Sequence, residues 1–150
     1  MNMVEPEVPK PDLIQPNQWY ALTIAPDDMH QYFKSNDRPD RFKQYWKQIL
    51  KKLETSSTVV AYMEPSHPKN NNLSRLHFHC FIKFSPTGVA KWYMHHYNKL
   101  ADVSQVCLKP IDSMTKWKNY CTKNEYFIQN VLSPYYDIPY PFYGDPKILS

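Results

Sequence analysis

The sequence predicts a single α+β domain in which an antiparallel β-sheet is flanked by helices. One face of residues 76–84 is wholly apolar, as in a strand packed on a core. Residues 41–53 repeat apolar side chains every three or four positions, the period of an amphipathic helix. The predicted elements follow the order β-α-β-β-α-β-α, and this mixture around a β-hairpin is typical of the α+β class. A length of 150 residues suits one such domain.

The first half of the chain supplies two strands and one helix. Residues 19–25 (WYALTIA) form the first predicted strand, which Pro26 ends. The first helix covers residues 41–53, and residues 58–64 (TVVAYME) form the second strand before a polar loop at 65–74. The helix has one apolar stripe, made of Phe42, Tyr45, Trp46, Ile49, Leu50 and Leu53.

The second half repeats this pattern after the hairpin. The third strand is followed by a helix at 89–100, a fourth strand at 103–109 and a third helix at 113–123. Asp112 or Ser113 is suited to cap that last helix. A β-α-β-β-α-β core is the ferredoxin-like arrangement, so this is the architecture that we expect.

Composition divides the chain into three parts. Residues 1–17 are rich in proline and polar side chains and are expected to form a flexible N-terminal arm. Residues 18–132 contain all the predicted elements and are expected to form the domain. Residues 133–150 are rich in proline and tyrosine and are expected to be a linker or a docking tail.

The composition also excludes some classes of function. The chain has two glycines and no phosphate-binding loop of the GxxxxGK[ST] or GxGxxG type, so we expect no ATP site. The net charge of +4 and an aromatic content of 15% are compatible with a nucleic-acid partner. The three cysteines form no CxxC pair. No signal peptide and no long apolar run is evident, which predicts a soluble, reduced, intracellular protein without membrane contact.

The second face of the third strand contains the first candidate for chemistry. Strand parity sends His77, His79, Phe81 and Lys83 to the face opposite the apolar one. Two histidines two residues apart on a rigid strand can bind one metal ion. They can also be two solvent-facing side chains, or one of them can be satisfied by a backbone carbonyl.

Glu64 is the candidate third ligand. It ends the second strand, which the hairpin places beside the strand of His77 and His79. Two imidazoles and one carboxylate suit Mn²⁺ and tolerate Mg²⁺, Co²⁺ or Zn²⁺. The alternative is a solvated carboxylate at a strand end. Cys80 is not a candidate, because parity directs it into the core.

The third helix contains a candidate nucleophile. Met114, Trp117 and Cys121 form its inward stripe, and Tyr120 lies beside that stripe with Lys123 three residues further on. A tyrosine can attack phosphorus, a metal can polarise a phosphate, and a lysine can add positive charge. The alternative is an ordinary amphipathic helix with a tyrosine at its boundary.

Taken together, these motifs resemble the HUH endonuclease superfamily. HFH (77–79) after a strand Glu, followed by YCTK (120–123), is similar to the rolling-circle replication initiator (Rep) proteins of circular single-stranded DNA viruses, of the circovirus and geminivirus type. YALTIAP (20–26) stands in the place of their first motif. The resemblance covers about residues 19–127. It implies an RRM-like HUH nuclease fold and an isolated nickase domain or a helicase-free relative.

The resemblance implies a mechanism. Glu64, His77 and His79 would hold Mn²⁺ or Mg²⁺ on the scissile phosphate of single-stranded origin DNA. Tyr120 would attack, remain linked to the 5′ phosphate and release a 3′ hydroxyl to the host replication machinery. Reversal would join the ends without ATP, and Lys123 would position the phosphate or balance charge. For a virus of a eukaryote the resemblance implies the host nucleus, and otherwise the cytoplasm.

The remaining expectations concern DNA contacts and departures from the family. Candidate DNA contacts are Thr23, Phe81, Lys83 and Lys116, and an aromatic ring such as Phe81 can stack on a base. Many relatives have an acidic residue four positions after the tyrosine, where this chain has Asn124. Two alternatives stay open: a single-tyrosine HUH transposase, and a non-enzymatic domain that binds single-stranded nucleic acid around a structural zinc.

Overall fold

A four-stranded antiparallel sheet is the centre of the structure. The computed structural model describes residues 14–27, 39–65, 76–132 and 137–150. Its strands are β1 (Trp19–Pro26), β2 (Ser57–Pro65), β3 (Leu76–Phe84) and β4 (Ser104–Pro110), in the spatial order β2-β3-β1-β4. Each neighbouring pair is antiparallel. The predicted α+β class with an antiparallel sheet is confirmed, and the four predicted strands agree to within one residue at each end.

The helices lie between and after the strands. The first, α1, is Pro39–Leu53, and a continuous helical segment follows β3. That segment consists of α2 (Pro86–Lys91), a π-helical turn (Trp92–His96) and α3 (Tyr97–Val103). After β4 come α4 (Met114–Cys121), α5 (Glu125–Phe127), a π-helical turn (Ile128–Leu132) and a final 3₁₀ turn (Pro146–Leu149).

The helix after β3 begins three residues before its predicted start. We expected the helix to begin at residue 89, but the Ser85 side chain accepts a hydrogen bond from the Gly88 N–H at 3.1 Å and caps the helix earlier. Pro86 is then the first helical residue, where its missing N–H costs nothing. The cap of α4 was predicted correctly as one of two candidates, since Ser113 accepts from the Lys116 N–H at 3.3 Å.

The larger core lies on one face of the sheet. The apolar side chains of β3 are all 0–2% exposed there, and they meet Trp46 and Leu50 from α1 and Trp92 and Leu100 from the segment after β3. Trp46 packs on Phe78 with their ring centroids 5.3 Å apart. The predicted apolar stripe of the first helix is confirmed where the structure describes its side chains. The apolar β3 residues of this face are Leu76, Phe78, Cys80, Ile82 and Phe84.

The opposite face is partly covered by α4. A second, smaller cluster forms there from Val60, Tyr62, Phe81 and Cys121, with Trp117 packed against it. This face therefore has a buried end under α4 and an end that holds the candidate site.

The C-terminal segment packs on the domain. Ile138 and Phe142 are 4% and 2% exposed in the larger core. Tyr143 exchanges two backbone hydrogen bonds with Ala61, at 2.9 and 3.2 Å, and so occupies part of the free edge of β2. Residues 137–150 therefore pack on the domain and do not form a linker that leaves it.

The last residues of the N-terminal segment, 14–17, also pack on the domain. Ile14 is 3% exposed, and the Asn17 N–H donates to the Phe84 carbonyl at 2.8 Å, so residues 14–17 do not form a free arm. Residues 1–13 of the expected arm, most of the polar loop at 65–74 and residues 133–136 lie outside the described residues. Within the described ranges, no helix combines the length and apolar character needed to cross a bilayer.

Candidate metal and nucleophile site

Strand register places the predicted ligands on one face. Glu64 of β2 lies directly opposite His77 of β3, and His79 lies opposite Thr23 of β1 on its other side. Residues opposite each other in an antiparallel pair point to the same face. The hairpin therefore brings Glu64 to the histidines, as the sequence predicted.

Glu64 and His79 are in direct contact. The Oε2 atom of Glu64 meets Nε2 of His79, and the other ring nitrogen, Nδ1, lies 3.2 Å from the Thr23 hydroxyl. Thr23 thus fixes the ring in the orientation that turns Nε2 towards the carboxylate. His79 is only 5% exposed, so its side chain has little freedom to leave this position.

His77 stands beside this pair. Its ring is parallel to that of His79, with an angle of 6° and 6.4 Å between the centroids. The atoms in contact are a carboxylate oxygen of Glu64 and an imidazole nitrogen of His79. Both are donor types that suit a divalent metal such as Mn²⁺. Among the described residues, no three His, Cys, Asp or Glu side chains converge as a complete metal cluster. The ligand set therefore stays a prediction.

Tyr120 and Lys123 reach the same place from α4. The Tyr120 ring is 4.9 Å from that of His79, at an angle of 73° between the planes, and the residue is 45% exposed. The Lys123 ammonium lies 2.8 Å from Oε1 of Glu64 and 3.8 Å from the centroid of the Tyr120 ring. The helix ends at Cys121, so Lys123 lies in the following turn and not in the helix where we expected it.

Glu64 and Lys123 stabilise each other's charge. Burial would raise the pKa of Glu64, but hydrogen bonds from His79 and Lys123 outweigh it and lower that pKa to about 2. Burial would lower the pKa of Lys123, but the hydrogen bonds and charge interactions with Glu64 and Tyr120 together outweigh burial, and the pKa is raised. At neutral pH the site therefore holds a carboxylate and an ammonium in contact, beside an exposed phenol.

No protein-family model, curated protein or solved structure was found to match this chain.

Trp117 is the site residue that sequence reasoning missed. It was expected only as part of a buried stripe, yet its indole Nε1–H donates to the Cys80 carbonyl at 3.1 Å. Its ring stacks on Tyr120, with 5.4 Å between centroids and 15° between planes, and it makes an edge-to-face contact with the His79 ring, with 5.7 Å between centroids. The spacing of three between Trp117 and Tyr120 was the signal that could have revealed this contact.

The four predicted DNA contacts differ in their exposure and surroundings. Phe81 is 0% exposed under Trp19 and Trp117, so its ring has no free face for a base and this prediction is corrected. Parity gave the correct face for Phe81, but the packing of α4 covers it. The ammonium of Lys83 lies 4.8 Å from the centroid of the Trp19 ring. Thr23 contacts His79, and Lys116 is exposed on α4.

The residues that follow Lys123 include an exposed tyrosine and an exposed carboxylate. Tyr126 is 76% exposed on α5, and Glu125 is exposed at the start of that helix. Asn124 is in the turn before it, and no metal contact of either residue is evident among the described groups. His96 lies 3.5 Å from the hydroxyl of Ser56.

Proposed function

We propose that this chain is a metal-dependent enzyme of the HUH type that nicks and rejoins single-stranded DNA, as in the initiation of rolling-circle replication. One observation carries the proposal: Glu64, His79, Tyr120 and Lys123, from three separate segments, form a closed ring of neighbouring contacts over one sheet face. The strand order β2-β3-β1-β4, with all pairs antiparallel, supports the finer assignment to a ferredoxin-like HUH fold.

The ligands in this proposal are Glu64, His77 and His79. Mn²⁺ or Mg²⁺ bound by these groups would supply positive charge that polarises the scissile phosphate. Thr23 would keep the His79 ring oriented for this task through its contact with Nδ1.

Tyr120 is the nucleophile in this proposal. Its oxygen forms a bond to phosphorus, the bond between phosphorus and the 3′ oxygen breaks, and the phenol loses a proton while the departing 3′ oxygen gains one. Tyr120 stays linked to the 5′ phosphate. Attack by a 3′ hydroxyl reverses the step and joins the strand, and no ATP is needed because the phosphate ester is conserved throughout.

Lys123 has a charge-balancing role. Its ammonium lies close to both the carboxylate of Glu64 and the ring of Tyr120, so it can keep Glu64 ionised and place positive charge beside a forming phenolate. This link between the ligand and the nucleophile favours a replication-type nickase over a single-tyrosine transposase.

The decisive experiment detects a covalent protein–DNA adduct. The full chain is incubated with Mn²⁺ and a pool of single-stranded oligonucleotides of random sequence, labelled at the 3′ end because that fragment keeps the linked 5′ phosphate. A denaturing gel should show label on the protein. Tyr120→Phe should abolish it while DNA binding survives, and Tyr126→Phe is the matched control because Tyr126 is also an exposed tyrosine. Adduct in Tyr120→Phe would exclude this nucleophile, and no adduct with Mn²⁺, Mg²⁺, Co²⁺ or Zn²⁺ would refute the enzyme.

Chelation separates this enzyme from the non-enzymatic alternative. With EDTA, a catalytic metal site should lose adduct formation and keep its circular dichroism and melting temperature. A chain that unfolds with EDTA would instead contain a structural zinc, and the binding-domain alternative would then be favoured.

A further inference from the structure

A surface cavity of about 420 Å³ lies beside Tyr120, outside the predicted metal ligands. Its volume is in the range of small-ligand sites. The residues that matter for its chemistry are Ala21, Lys109, Ile111, Lys116, Trp117 and Tyr120.

The register fixes where this cavity lies relative to the site. Ala21 of β1 is opposite Phe81 on one side and Lys109 on the other, while Thr23, two residues along, is opposite His79. Two residues along a strand correspond to about 7 Å. The cavity is therefore one cross-strand row away from the histidines, and Tyr120 borders both.

The shape of the cavity depends on one small side chain. The side chain of Ala21 is only a methyl group and lies between the longer side chains of Phe81 and Lys109. The surface of the sheet therefore has a depression at Ala21. Trp117 and Tyr120 form a stacked wall beside it, and the hydrogen bond from Trp117 to the Cys80 carbonyl holds that wall in place. The cavity thus has an aromatic wall, formed by Trp117 and Tyr120, above a depression in the sheet at Ala21.

The charge of the cavity favours an anion. Lys109 and Lys116 line it and are both exposed, and Asp112 is the acidic residue among its lining side chains. Aromatic surface combined with two ammonium groups is the combination that binds a nucleotide of a single strand, since the base stacks and the phosphate pairs with lysine.

We propose that this cavity is the binding subsite for the nucleotide next to the one cleaved. The base packs against Trp117 and Ile111 over Ala21, and its phosphate lies between Lys109 and Lys116. The inference rests on the proposed function and deepens it, because it states how the strand is held as it reaches Tyr120.

The test measures binding and not cleavage. Fluorescence anisotropy gives the Kd of the full chain for a labelled mixed-sequence single-stranded oligonucleotide, in EDTA, at several salt concentrations. Because one phosphate lies between the two lysines, the double variant Lys109→Ala/Lys116→Ala should reduce the slope of log K against log salt by about 0.7, the value for one lost phosphate contact. Ala21→Phe fills the cavity and should weaken binding at least about five-fold through lost stacking, with the slope unchanged.

Lys118→Ala is the matched control, because Lys118 is an exposed lysine of the same helix that does not line the cavity. It should weaken binding less than either change at the cavity. Wild-type slope and Kd in the double variant would overturn the subsite, whether or not Ala21→Phe folds.

The adduct assay keeps the two proposals apart. If wild type forms the adduct and the cavity variants bind like wild type, the subsite is wrong and the enzyme stands. If the variants bind weakly and wild type forms no adduct, the cavity is a nucleic-acid site on a non-enzymatic domain. A wild-type chain that binds no single strand at all would overturn the subsite directly.

Discussion

Phe142→Ala tests whether the C-terminal segment belongs to the cooperative fold. Phe142 is 2% exposed and packs on Phe78, with 4.9 Å between the ring centroids. Burial of a side chain of this kind contributes about 1.5–3 kcal/mol. The cavity left by truncation raises the expected loss of unfolding free energy to about 3–5 kcal/mol.

This loss is large relative to the stability of a small domain, which is about 5–15 kcal/mol. A loss of about 4 kcal/mol lowers the ratio of folded to unfolded protein roughly a thousand-fold. At this chain length it lowers the melting temperature by about 10 °C. Urea unfolding followed by circular dichroism measures the free energy, and thermal melting gives an independent check.

The control variant is Ile148→Ala in the same segment. Ile148 is 43% exposed, so its truncation should cost less than about 1 kcal/mol. If Phe142→Ala costs no more than Ile148→Ala, the segment does not share the cooperative unfolding of the sheet. The interpretation of residues 137–150 as part of the folded unit would then be refuted.

Two further predictions concern the backbone and the thiols. Gly144 has φ +88°, and a Cβ there would overlap the carbonyl oxygen of Val59, so Gly144→Ala should cost about 1–3 kcal/mol in urea unfolding; an unchanged midpoint would contradict this. Native iodoacetamide labelling at pH 8, read by mass spectrometry, should modify Cys107 and spare Cys80 and Cys121. Both spared thiols are buried, and burial raises the pKa of Cys121 to about 12. Labelling of Cys80 at the rate of Cys107 would show that the sheet opens.

The hairpin and its site residues could be predicted because strand parity is strict. One residue of register shift would exchange the faces of β3 and turn its apolar side chains away from the core. Burial of those side chains therefore sends His77 and His79 to the opposite face, where the observed register brings Glu64 across from His77. The face that these residues share followed from the apolar pattern, whereas the exact pairing did not.

Parity states which face a side chain takes, but not what covers that face. Phe81 lies on the face of the histidines as expected, yet α4 and Trp19 enclose it. The docking of α4 depends on tertiary contacts such as the hydrogen bond from Trp117 to the Cys80 carbonyl, and no local spacing encodes them. The prolines and tyrosines at 133–150 suggested a linker, because local composition does not show tertiary contacts. The residues that pack on Ile138 and Phe142 are distant in sequence.

Cys80 connects the two halves of the site. Its side chain is fully buried in the larger core. This packing fixes the β3 backbone at Cys80 and at the preceding residue, His79. Its carbonyl accepts the hydrogen bond from Trp117, and Trp117 stacks on Tyr120. The separation of the candidate ligand and the candidate nucleophile is therefore set by the packing of one strand and by one hydrogen bond across its polar face. A residue without chemical function at this position thus holds the two chemical groups in register.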